Sequence, residues 1–285
     1  MKKMLKALGK AFCYFALFFG VQFLVTAIFS GVLTFNIMSE VGFDVSEDQF
    51  VDLVSKVTSE ISARATLITL ISDAVSVFFV WLFFKLRKKS LLECTEVRKC
   101  SMQMFIASLV FGVSFLNVVP GLIQLIPFSD KLVNDFNAGQ AVLNTGNPVI
   151  GFIAVVIIGP VAEELFFRGL IYTRIKKGTN MVIAAVISSL LFGLLHGEVI
   201  WIIITFVMGI MFVAMFEKTK SLVPCIVIHM ANNSLAQLTS DGFEIADWAA
   251  GIIFAVCVIG IIASGIYLFT HKAENAPVQI DTEEI

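Results

Sequence analysis

The stretch Val149–Arg168 reads VIGFIAVVIIGPVAEELFFR, and its reading decides the class of the whole chain. It is long and apolar enough to cross a membrane. Yet it carries Glu163 and Glu164 back to back, with Arg168 four residues beyond Glu164. An ionisable side chain at the centre of a membrane helix costs roughly 2.5–3.5 kcal/mol on insertion scales, so the three together ask roughly 8–10 kcal/mol from the rest of the fold. No packing role requires that, and such a cost is usually tolerated for chemistry. Two further pairs stand in apolar segments downstream: Phe192 with His196, and His229 with Asn233. Each pair is spaced i,i+4 and shares one helix face.

The composition agrees with a membrane location. Hydrophobic residues make up 58% of the 285 residues and charged ones 15%, far from a soluble chain. Apolar runs near the length of a membrane helix have their cores at 11–35, 65–84, 104–126, 148–167, 181–196, 200–216, 222–239 and 248–270. The expected fold is therefore all-α and polytopic, with about eight transmembrane helices around an intramembrane polar cavity. The expected division is an N-terminal three-helix region over 1–147, core helices over 148–239, a last membrane helix over 240–270 and a disordered cytoplasmic tail over 271–285. The run at 222–239 carries His229, Asn232, Asn233, Ser234 and Gln237, so it must face protein or a cavity rather than lipid.

Orientation follows from Lys and Arg. The amino terminus, the 85–103 loop, the 174–180 loop, the 217–221 turn and the tail hold most of the 20 basic residues. Both termini are thus expected in the cytoplasm. The acidic 36–64 segment then lies outside as the one long external loop, where Val51, Leu53, Val54, Val57 and Ile61 recur at the spacing of an amphipathic surface helix. The first apolar run exceeds a normal signal-peptide core and reads as an uncleaved anchor. The scattered cysteines 13, 94, 100, 225 and 257 suggest no disulfide framework. The chain has no Cys-x-x-Cys, His-Glu-x-x-His, Walker or dinucleotide-binding motif, and nothing points to a nucleic-acid partner. Asp73, a separate acid in the second run, reads as structural or gate-lining.

Taken one at a time, each pair has a plain packing reading: an ion pair for Glu164 and Arg168, interhelical hydrogen bonds for His196 and for His229 with Asn233. Together they are harder to dismiss, because Arg168 can neutralise one of two adjacent carboxylates while two imidazoles remain. The order Glu-Glu-x-x-x-Arg, Phe-x-x-x-His, His-x-x-x-Asn on successive apolar segments resembles the three motifs of the CPBP family. That family comprises type II CAAX prenyl endopeptidases and bacterial bacteriocin-processing and self-immunity proteins. The resemblance covers about 148–239 and implies an intramembrane endopeptidase acting on a membrane-associated peptide, prenylated or of the bacteriocin or leader type. It implies a glutamate that activates water, with His and Asn stabilising the oxyanion.

Peptide hydrolysis needs a base, oxyanion donors and an acid for the leaving amine. The reading assigns Glu164 as the base and Glu163 as a carboxylate that orients it or His196, with the two interchangeable. His229 and Asn233 serve as oxyanion donors, His196 polarises or positions water, and Arg168 and Phe192 support them. No obligatory metal is expected. If zinc were bound, Glu163, His196 and His229 would be its ligands. Two other classes stay open: a non-catalytic membrane scaffold or immunity protein that binds a peptide or protein partner, and a proton-coupled transporter using the same residues as a relay.

Overall fold

The computed structural model describes residues 2–42, 46–123, 125–143, 145–239 and 247–273, and among these every regular element is helical. The expected tail falls mostly on 274–285, outside the described residues. Apart from a single turn at Leu91–Cys94, the helices are α1 (Lys2–Val41), α2 (Glu47–Ala63), α3 (Ala65–Leu86), α4 (Met102–Ile123), α5 (Asp130–Leu143), α6 (Pro148–Gly178), α7 (Met181–Leu194), α8 (Val199–Thr219), α9 (Val223–Thr239) and α10 (Asp247–Thr270). The chain is an all-α polytopic membrane protein. Six of the described helices are long and apolar enough to cross a bilayer: α1, α3, α4, α6, α8 and α10.

Two of the eight expected spans depart from that pattern, each for a physical reason. α7 has 14 residues, which makes it about 21 Å long against a hydrocarbon core of roughly 30 Å. It stops at Leu194 because Gly197 adopts φ +78°, and the chain turns into α8. α9 has 17 residues, and its polar side chains keep it from reading as a lipid-facing span.

α6 is the most buried of the six spans and the axis of the bundle. α1 and α3 pack along one side of it, and α7, α8 and α9 along the other. α4 packs on α9 and carries α10 on its far side. Small residues allow the close crossings. A Cβ on Gly209 of α8 would come 2.7 Å from the Cβ of Ser189 on α7, and one on Gly112 of α4 would strike the Ile228 carbonyl oxygen of α9 at 2.4 Å. Ser189 and Gly193 thus form a small-residue ridge on α7, whereas Gly197 serves the turn. Outward-facing Phe12, Phe19, Phe23 and Phe35 on α1 are exposed, as lipid-facing side chains are.

The amphipathic helix expected within 36–64 is α2. It opens on a capping box in which the Ser46 hydroxyl accepts from the Gln49 amide and the Ser46 amide donates to Gln49 Oε1 at 2.9 Å. Leu53, Val57 and Ile61 face the protein, while Val51 and Val54 are exposed. The segment is not alone between spans. α5 is a second such helix, joined to the end of α2 where the Thr145 hydroxyl donates to the Ser62 carbonyl at 2.6 Å.

Candidate active site

α6 is not a uniform helix. It starts at Asn147, whose side chain accepts from the Val149 and Ile150 amides, with Pro148 in the first turn where its missing N–H costs nothing. Two wider π-helical stretches, Ile153–Ile158 and Leu165–Tyr172, flank a single α-helical turn at Gly159–Glu164. Such bulges inside α-helices gather at functional sites. The cause of the first is visible. The Gly159 amide bonds back five residues to the Ala154 carbonyl, and the next residue, Pro160, has no N–H to offer Val155. The orphaned Val155 carbonyl accepts instead from Asn233 Nδ2 of α9 at 2.9 Å. Asn233 Oδ1 in turn accepts from Asn232 Nδ2 at 3.3 Å.

Glu163 stands mid-way along α6, 15 residues or about 22 Å from either end, with Glu164 next to it. Their environments differ sharply. Glu164 is fully buried, and its Oε1 accepts from the Arg168 guanidinium at 2.8 Å and from His229 Nδ1 at 3.0 Å. The Glu163 side chain keeps 24% of its surface open, with Oε2 at 3.6 Å from His229 Nε2. His229 therefore spans the two carboxylates, one on each ring nitrogen.

Aromatic rings hold the cation in place. The Arg168 guanidinium lies 4.2 Å from the Phe192 ring centre and 4.8 Å from that of Phe212. Each such contact is favourable, more so out of water. Phe192 also meets His196 (centroids 5.1 Å apart) and His229 (6.0 Å), so it touches most of the constellation. His196 lies just past the end of α7, half-buried, with Nδ1 3.0 Å from the Phe192 carbonyl oxygen. A carbonyl only accepts, so the neutral ring carries its proton on Nδ1 and leaves the Nε2 lone pair free. Trp201 of α8 stacks on the His196 ring at 6.3 Å, and Phe136 of α5 packs on Trp201 at 5.1 Å.

The structure thus brings Glu163, Glu164, Arg168, Phe192 and His229 together directly, with His196 joined through Phe192. Asn233 reaches the same helix through its backbone. Three participants were not singled out in the sequence: Trp201 and Phe212, which are indistinguishable there from other apolar aromatics, and α5 behind Trp201. Among the described residues no three His, Cys, Asp or Glu side chains are grouped to hold a metal ion.

The region that carries this site, residues 145–235, matches the family model described as type II CAAX prenyl endopeptidase Rce1-like. Residues 145–235 are thus similar to the Rce1-like endopeptidases. Over 96 residues, 33% of this chain and 39% of the relative, the sequence is 31% identical to YdiL of Bacillus subtilis (strain 168), named as a candidate membrane peptidase. Over 116 residues, 39% of this chain and 43% of the relative, it is 34% identical to the membrane-embedded CAAX protease MroQ of Staphylococcus aureus (strain USA300). The chain thus spans about two fifths of the length of these relatives. No solved structure matches. The Rce1-like region coincides with α6 to α9 as far as residue 235, so the flanking helices α1 to α5 and α10 lie outside the matched part.

Proposed function

We propose that this chain is an intramembrane endopeptidase that hydrolyses a peptide bond in a membrane-associated peptide through glutamate-activated water. The observation that carries the reading is the split between the adjacent carboxylates. Glu164 is spent on Arg168 and His229, while Glu163 keeps an open face beside His229 Nε2. This favours exchanging the roles assigned from the sequence, with Glu163 as the base and Glu164 as the anchor. A proton passes from water to Glu163 as the hydroxyl adds to the carbonyl carbon. Glu163 then returns it to the leaving nitrogen as the C–N bond breaks. His196 Nε2 accepts a hydrogen bond from the water. The second Nδ2 hydrogen of Asn233 serves as a donor to the oxyanion, with His229 Nε2 beside it.

No metal is required in this scheme. Arg168 beside the carboxylates repels a divalent cation. The substrate class is a peptide held at the bilayer, either a prenylated CAAX terminus or a bacteriocin or leader peptide. The location is a bacterial plasma membrane with both termini in the cytoplasm, in keeping with the distribution of Lys and Arg.

The test is cleavage by purified protein in lipid vesicles of two internally quenched peptides. One ends in a prenylated cysteine followed by three residues, and the other is the same peptide without the prenyl group. Product masses locate the cut. Hydrolysis of the prenylated peptide alone supports the CAAX class, and hydrolysis of both supports a broader membrane peptidase. Hydrolysis of neither, by folded protein, counts against the reading.

A further inference from the structure

Arg174 is a buried cation among other cations. It lies in the last turns of α6 with 5% of its surface exposed, and its Nε is buried with no hydrogen-bond partner among the described residues. Close contacts on either side of it fix what surrounds it. A Cβ on Gly169 would come 2.7 Å from the Thr95 Cβ, just past the turn that follows α3, and one on Gly178 would strike the Ala7 Cβ of α1. The chain leaving α3 turns back at Lys88, φ +56°, where the Lys89 amide donates to the Phe84 carbonyl at 3.0 Å. The start of α1, the end of α3 and the end of α6 therefore converge on Arg174.

Each of these segments brings positive charge. Lys10 lies within electrostatic reach of Arg174, Lys6, Arg87 and Lys89, and Lys177 within reach of Arg174 and Lys10. Lys6, Arg87 and Lys177 are exposed, Lys10 and Lys89 half-buried and Arg174 buried. The cluster thus runs from a wet rim to a buried floor, where the guanidinium faces the Tyr14 hydroxyl of α1. The acids in reach are Glu93 and Glu96, and Glu96 has its own cation in Arg98 at 3.5 Å. Nearby, Lys176 and Lys220 pair with Glu217, whereas Arg174 forms no ion pair among the described residues. A buried cation without a counter-charge is costly, and like charges around it add repulsion. An anion seated among them removes both costs through charge-assisted hydrogen bonds.

We propose that this cluster binds one phosphate group, with Arg174 as the buried anchor and Lys177 and Lys10 closing on it from the rim. The level suits a lipid headgroup. α6 has 31 residues, about 46 Å, which exceeds a hydrocarbon core of roughly 30 Å, so its last turn stands in the headgroup layer. Free phosphate offers the same chemistry from water. Arg174 lies about 16 Å along α6 from Glu163, and the inference is independent of the peptidase reading.

Native mass spectrometry of the full chain, released from micelles loaded with phosphatidylglycerol or phosphatidylcholine, tests it. Wild type should retain one phosphatidylglycerol in preference to phosphatidylcholine. Arg174→Gln should weaken that binding at least about tenfold and Lys177→Gln about fivefold. Lys99→Gln, which removes an exposed cation outside the cluster, should leave it unchanged. Inorganic phosphate separates the sources. Lipid retained against it assigns a headgroup, and a phosphate-dependent rise in the unfolding midpoint of lipid-free protein, lost in the same variants, assigns free phosphate. If Arg174→Gln does not fold, Lys177→Gln and Lys10→Gln carry the test, each about fivefold weaker than wild type. Equal retention of the two lipids with no effect of phosphate, binding that these substitutions do not alter, or a loss in Lys99→Gln as large as in Lys177→Gln overturns the proposal.

Discussion

Asn233 Nδ2 stands 2.9 Å from the Val155 carbonyl oxygen, the acceptor that Pro160 cannot serve. A side chain expected to meet the substrate oxyanion is therefore also the patch for a gap in the helix that carries the two carboxylates. Losing it leaves a buried carbonyl unpaired, which costs about 1–3 kcal/mol. Asn233→Ala should thus lower the unfolding midpoint in detergent as well as the cleavage rate. In a Pro160→Ala background the restored N–H at 160 can serve Val155, so the stability cost of Asn233→Ala should shrink there. Equal costs in both backgrounds would contradict the link.

Glu164 and Arg168 form a buried pair with 0% and 1% of their side chains exposed. Removing one partner strands the other, at about 3–5 kcal/mol. Glu164→Gln and Arg168→Met should each reduce the yield of folded protein in membranes, and the double variant should recover part of it. Thermal unfolding of the three variants in one detergent decides this.

Phe192 joins Arg168, His196 and His229. Phe192→Ala removes a fully buried ring, at about 3–5 kcal/mol. Phe192→Leu keeps most of the volume and loses chiefly the cation–π contact, about 0.5–2 kcal/mol. The expected order in unfolding midpoint is wild type, then Phe192→Leu, then Phe192→Ala, with cleavage falling in the same order.

The placement of these residues shows what a sequence can disclose. Glu163, Glu164 and Arg168 are legible because charge in an apolar run is costly, and His229 with Asn233 because one helix face carries both. The unequal exposure of Glu163 and Glu164 is not legible, since it depends on which flank of α6 meets α9 and α3. α7 is shorter than its apolar run reads, because Leu195 and His196 extend that run while the break is made by the left-handed Gly197. α5 was hidden because its mixed polarity reads as a loop between spans. Phe192 stood out only through the motif, and its physical role appears once Arg168 is seen beneath its ring.

The distribution of basic residues predicts Leu92 on the cytoplasmic side and Ser59 outside. Both are exposed. In intact cells a membrane-impermeant maleimide should label Ser59→Cys and spare Leu92→Cys until the membrane is opened. Burial pushes the native Cys94 and Cys100 thiols up, which keeps their background labelling slow at neutral pH. The reverse pattern would invert the topology.

The most direct measurement is the turnover of Glu163→Gln beside wild type, on one peptide, in vesicles, with folding checked by thermal unfolding and metal content measured in both samples. Loss of the general base should lower kcat by about 10²–10⁴-fold with KM little changed and folding intact. Wild type should stay active without stoichiometric metal. Wild-type turnover by Glu163→Gln, or activity that is lost with one equivalent of zinc and returns with it, would contradict glutamate-activated water at Glu163.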